Sequence, residues 1–179
     1  MKMCLRMICG MLVAMALHGC GGGSDGTAPV TNSYVFPAGK ATLAFTAMST
    51  AHLAVPISGI NVTVTLPPGM SVATAAGASG QISTASIIPG SALTGTNLAF
   101  GTYSASSGKT HLSMVTTSDT YRSGEFLRLT CTVAANTNIT LGGLKALNTP
   151  VTLDAVGFDP VSKSTVTLAN SVKVTIGVP

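Results

Sequence analysis

Residues Gly59–Gly69 read "GINVTVTLPPG", and the fold assignment rests first on this stretch. Ile60, Val62, Val64 and Leu66 occupy every second position, with Asn61, Thr63 and Thr65 between them. In a strand, successive side chains point to opposite faces, so this alternation produces one apolar face and one hydrated face. A helix repeats every 3.6 residues and would scatter the same residues around its surface. The three β-branched aliphatics favour the extended backbone, and Pro67-Pro68-Gly69 closes the strand with two residues that lack an N–H.

The same device returns in "GEFLRLTCTVAAN" (Gly124–Asn136), where Leu127, Leu129, Cys131 and Val133 alternate with Phe126, Arg128, Thr130 and Thr132. "TVTLANSVKVTIGV" (Thr165–Val178) reads as one or two further strands. Weaker strand signals lie at Ala41–Thr46, Asn97–Tyr103, Thr110–Thr116, Ile139–Leu144 and Val151–Val156. Turns are expected at Pro37-Ala38-Gly39, Pro89-Gly90, Ser107-Gly108, Ser123-Gly124, Gly142-Gly143 and Asp159-Pro160. Val72–Ala78 reads as a loop or strand end because glycines follow closely. Many short strands with Gly/Pro punctuation and no long amphipathic helix predict an all-β antiparallel sandwich over residues 34–179. A segment of that length buries roughly two thirds of its unfolded surface.

Composition narrows the function. The chain has 179 residues, 46% of them hydrophobic and 8% charged, against about 25% charged in an average domain. High apolarity with low charge is the reverse of a disordered composition. Without Lys2 and Arg6 in the first six residues, seven basic residues face five acidic ones. They are scattered singly and are not interleaved with aromatic residues, which argues against a nucleic-acid partner.

The first residues carry a separate message. Lys2 and Arg6 form a basic head, and "MICGMLVAMAL" (Met7–Leu17) is an apolar run of eleven residues. That is short of the ~20 residues that span a bilayer but suits a secretory signal core. The run ends in Leu17-His18-Gly19-Cys20, which resembles the bacterial lipobox: an apolar residue, then a small one directly before cysteine. The resemblance implies cleavage after Gly19, so residues 1–19 are a signal peptide and Cys20 becomes an acylated first residue. Cys4 and Cys9 leave with the peptide. Gly21 follows the cysteine where inner-membrane retention would place aspartate, so the resemblance implies an outer-membrane lipoprotein. Residues 20–33 lack apolar periodicity and form a Gly/Ser-rich tether with a mean reach of about 20 Å.

The body has its own resemblance. "ISGINVTVTLPPGMSV" (Ile57–Val72), "GTYSASSGKTHLSMV" (Gly101–Val115) and "SGEFLRLTCTV" (Ser123–Val133) together resemble the cohesin-like modules, which share a jelly-roll sandwich with family-2 and family-3 carbohydrate-binding modules. The resemblance runs from about Ala41 to Val174. It implies a non-enzymatic module on the cell envelope that contacts a protein partner, with polysaccharide binding as the alternative. Tyr103 and Tyr121 flank the 104–120 segment and are the candidate rings for ligand contact.

Catalytic patterns are sparse. Cys131, on the apolar face of its strand, reads as a small core residue and not as a nucleophile. His52 and His111 lack the i,i+2 or i,i+4 partner of a shared metal site, and no G-x-S-x-G elbow occurs. A glycosidase carboxylate pair has few candidates: Glu125 opens a strand, and Asp119 is its neighbour across a turn. Asp154 and Asp159 frame a segment to be tested for calcium, although it lacks the alternating carboxylates of an EF-hand loop. No cofactor is expected and no metal ligands are assigned.

Overall fold

A computed structural model of the chain describes residues 30–179; Cys20, the signal segment and nearly all of the tether lie outside the described residues. The elements follow in the order β1 (Gly39–Ser49), β2 (Ile57–Thr65), β3 (Met70–Ser71), β4 (Ile87–Pro89), β5 (Asn97–Ser104), β6 (Lys109–Thr116), β7 (Gly124–Val133), α1 (Leu141–Leu147), β8 (Thr152–Asp159), β9 (Ser164–Thr167) and β10 (Val172–Gly177). Two five-stranded sheets result, with every strand pair antiparallel. The first has the order β10-β1-β7, with β3 and β4 sharing the far edge of β7; the second runs β5-β6-β2-β8-β9. The expected all-β antiparallel sandwich is therefore the fold.

The alternation of GINVTVTL is realised as read. Ile60, Val62, Val64 and Leu66 are buried, Asn61 is exposed, and Thr63 and Thr65 are half-buried. They belong to one core cluster with residues of the first sheet, among them Leu43, Phe45, Leu129 and Cys131. Burying each such side chain stabilises the fold by about 1.5–3 kcal/mol. Among the described residues the buried core runs from Phe36 to Ile176, so the chain from residue 20 onward contains every one of these core residues.

Two expectations are corrected. Ile139–Leu144 is not a strand, and Gly142-Gly143 is not a turn: both fall on α1 or its N-terminal approach. Thr140 caps the helix by accepting from Gly143 N–H at 3.0 Å, and Leu141 and Leu144, three apart on one face, are buried. Gly142 has a different task from turning the chain. Its N–H donates to Asn32 O at 2.8 Å, and a Cβ there would sit 2.9 Å from that oxygen. The second correction is Phe126, placed on the polar face by simple alternation but fully buried. Phe45 pairs with Leu127 and Thr46 with Glu125, leaving Phe126 as an extra residue in a β-bulge. Two consecutive residues on a bulged strand oppose one, so Phe126 and Leu127 both enter the core.

The sandwich has two distinct ends. Gly39, Thr65, Lys109, Val133 and α1 lie at one, where the tether enters through residues 30–38. Ile57, Thr116, Gly124, Asp159 and Val172 lie at the other.

Candidate functional site

The outer face of the second sheet inverts the usual alternation on two of its strands. In β5, Ala99, Gly101 and Tyr103 point inward while Leu98 and Phe100 are 59% and 45% exposed. In β8, Ala155 and Gly157 are buried while Phe158 is 48% exposed and Val156 is half-buried. The inward positions are small because the space is taken. A side chain at Gly101 would meet Leu112 and Ile82, and one at Gly157 would meet Val55 and Leu168. The larger apolar residues are left on the surface.

Strand register gathers them. Leu98 pairs with Val115, Val115 with Gly59, and Gly59 with Val156, so one row of four crosses the sheet. Directly paired side chains stand about 4.5–5.5 Å apart. Gly59 leaves a shallow gap in the row, toward which Val156 Cγ2 leans. Phe100 and Phe158 extend the patch along β5 and β8. A contiguous group of large exposed apolar side chains is the usual mark of an interaction surface. The patch lies toward the end of the sandwich away from the tether.

Toward the tether end the same face becomes polar. Thr102, His111, Thr63 and Thr152 form a row, in which Thr63 Oγ1 and His111 Nδ1 share a hydrogen bond of 2.9 Å. Beside it a depression of about 730 Å³ is lined by Ser71, Thr74, Ser79, Thr102, Tyr103 and His111. A second, of about 620 Å³, opens between Pro67-Pro68 and the β5–β6 hairpin, and Tyr103 borders both.

The two candidate rings are not brought together. Tyr103 pairs with Thr110 at the tether end of β6, whereas Tyr121 follows the opposite end of that strand. Tyr121 is buried and its hydroxyl donates to Gly124 O at 3.0 Å. Burial also pushes its phenol well above the ordinary tyrosine range. Only Tyr103, half-buried, offers part of a ring at a surface depression.

The groups considered for chemistry are held in structural roles or stand apart. Cys131 is 1% exposed, and burial pushes its thiol up to about 12, which leaves it protonated at neutral pH. His52 is exposed in the loop before β2. Asp154 and Asp159 are five residues apart on β8, a spacing that puts them on opposite faces and about 16 Å apart. Asp159 instead accepts from Ser162 Oγ at 2.7 Å and Val161 N–H at 2.9 Å, which hold its carboxyl below the usual range. Among the described residues no three His, Cys, Asp or Glu side chains gather as a metal site.

Glu125 accepts from Arg128 Nε at 2.8 Å and Nη2 at 3.3 Å, and from Ser91 N–H at 3.0 Å, while Asp119 stands exposed in the loop after β6. Burial pushes the Glu125 carboxyl up, but the bonds from Arg128 and Ser91 outweigh it and hold it below its ordinary value. A general acid in glycoside hydrolysis needs the opposite shift. Because the folded value is depressed, the stabilisation is complete above the unfolded value of about 4.3 and is lost as pH falls through the folded value. Urea midpoints measured from pH 7 to pH 3 are therefore expected to fall more steeply for the native chain than for Glu125→Gln. Parallel acid limbs in the two proteins would contradict this.

No protein-family model matches the chain, and comparison with curated proteins and with solved structures gives no match either.

Proposed function

We propose that this chain is a lipid-anchored, non-enzymatic module of the bacterial cell envelope that docks a protein partner on the outer face of its second sheet. The observation that carries the reading is the apolar patch of Leu98, Phe100, Val115, Val156 and Phe158 at the end away from the tether. Fully buried interface centres are depleted in charge and rich in such side chains. The lipobox-like Leu17–Cys20 supports acylation of Cys20, and Gly21 beside it supports the outer membrane as the address. The cohesin-like pattern of Ile57–Val72 and Ser123–Val133 supports a binding role over a catalytic one. No cofactor enters this reading.

A photo-crosslinking residue at Val115, introduced in the native envelope, is expected to capture a discrete protein. Leu98→Lys combined with Phe158→Lys, with the probe kept at Val115, should reduce that capture at least tenfold while changing the unfolding free energy by no more than about 0.5 kcal/mol, as surface changes do. Intact-mass measurement should find Cys20 acylated; an unmodified chain would remove the anchor from the proposal. Hydrolase activity lost on Glu125→Gln or Asp119→Asn would overturn the non-enzymatic reading.

A second reading has one observation of its own: Tyr103 borders two depressions, one of them rich in hydroxyls, as a polysaccharide site requires. Glycan-array binding abolished by Tyr103→Ala, with no protein captured at Val115, would put carbohydrate in place of the protein partner.

A further inference from the structure

The charges of the sandwich are not evenly distributed between its ends. Lys40 opens β1, Lys109 opens β6 and Lys145 lies on α1, so all three belong to the end where the tether enters. Lys40 and Lys109 are exposed; Lys145 is half-buried and its Nζ donates to Asn32 Oδ1 at 3.1 Å, which leaves its charge unneutralised. No Asp or Glu side chain among the described residues shares this end. Asp119, Glu125 and Asp159 belong to the opposite end, where they offset all but one of the charges of Arg122, Arg128, Lys163 and Lys173. Asp154 pairs with Asn61, four residues along β2 from the Thr65–Lys109 pair and so about 13 Å away along the strand. Val35 and Leu147, each 49% exposed, add apolar contacts at the basic end.

We infer that this end of the sandwich rests against anionic lipid headgroups, with Lys40, Lys109 and Lys145 facing the phosphates and the apolar patch turned away from the membrane. The orientation rests on the lipid-anchor reading above, because the tether delivers this end to the surface; the charge asymmetry does not depend on it. A lipid chain and a basic surface are complementary anchoring signals. Together they give the module one preferred orientation instead of free rotation on its tether, and the docking face is presented outward.

The test uses an unacylated chain that starts at residue 20 and carries Cys20→Ser, which retains every core residue among the described residues. It is mixed with vesicles of phosphatidylcholine alone or with 30 mol% phosphatidylglycerol and sedimented at low salt (the composition of the probe, chosen to supply phosphate charge). Binding is expected only with phosphatidylglycerol and should decline as salt is added. Lys40→Gln, Lys109→Gln and Lys145→Gln together should weaken it about a hundredfold, since each basic residue near such a surface contributes about fivefold. Arg122→Gln, Lys163→Gln and Lys173→Gln remove the same charge from the other end and should weaken it less than about threefold. Equal losses in the two triple variants, or no preference for phosphatidylglycerol, would overturn the inference. Acylation of Cys20 is read separately by intact mass, so failure of the anchor and failure of the basic face give different results.

Discussion

Phe126→Ala is expected to lower the free energy of unfolding by about 3–5 kcal/mol, the range for removing a fully buried phenylalanine. The ring is 0% exposed and packs 6.4 Å from the Phe45 ring at a 53° tilt. It lies at the bulge of β7, where the Phe126 carbonyl accepts from Gly90 N–H at 2.8 Å and so ties the loop after β4 to the strand. Neighbouring backbone holds the site in place, so the cavity cannot close fully. Phe126→Leu, which retains much of the volume, should cost considerably less. Denaturant titration reads both, with the midpoint moving and the slope staying constant. A loss below about 1 kcal/mol for the alanine variant would mean that the ring occupies the outer face, as unbroken alternation demands.

Asn148→Ala is expected to be the next most damaging change, at about 2–4 kcal/mol, because it leaves several backbone groups without partners. Asn148 is 7% exposed and its amide is fully used. Oδ1 accepts from Thr65 N–H at 2.7 Å, while Nδ2 donates to Thr65 O and Leu144 O, each at 2.9 Å. One side chain thus joins the last residue of β2 to the C-terminal turn of α1. Its removal strands three groups near the tether end. Calorimetry should show the loss, and amide exchange at Thr65 should accelerate while exchange at Leu129, in the centre of the other sheet, changes only with global stability. An unchanged Thr65 rate would show that water replaces the amide at no cost.

Much of this fold is legible in the alternation of particular residues. Ile60 to Leu66 and Leu127 to Val133 face the core where period two places them, because β2 and β7 are interior strands of their sheets. Cys131 is the buried residue its alternation predicts. The reading fails where a local irregularity or a distant segment intervenes. A bulge shifts Phe126 inward, and a threonine cap with two buried leucines turns Leu141–Leu147 into a helix despite two glycines. Helix propensity counts against that outcome by about 1 kcal/mol per glycine, so only packing against the rest of the chain accounts for it. Tyr121 is a candidate ring from its place beside the 104–120 segment, yet it is buried. Its burial depends on the other strands that close that end of the sandwich.

The sequence by itself determined that the chain is built of strands, since period two marks the extended backbone, and one hydrated face with short Gly/Pro turns favours antiparallel pairing; it also supplied the lipobox-like Leu17–Cys20 on which the proposed address rests. Which face of β5 and of β8 is buried was a tertiary decision. Leu98, Phe100, Val156 and Phe158 are apolar enough for the core, yet Ile82, Leu112, Val55 and Leu168 already fill the space behind β5 and β8. Ala99, Gly101, Ala155 and Gly157 therefore face inward, and the larger side chains remain outside as the proposed docking surface. Likewise, no spacing in the sequence unites Lys40, Lys109 and Lys145. They share one end only because antiparallel pairing brings the start of β1, the start of β6 and the helix before β8 to the same side of the sandwich.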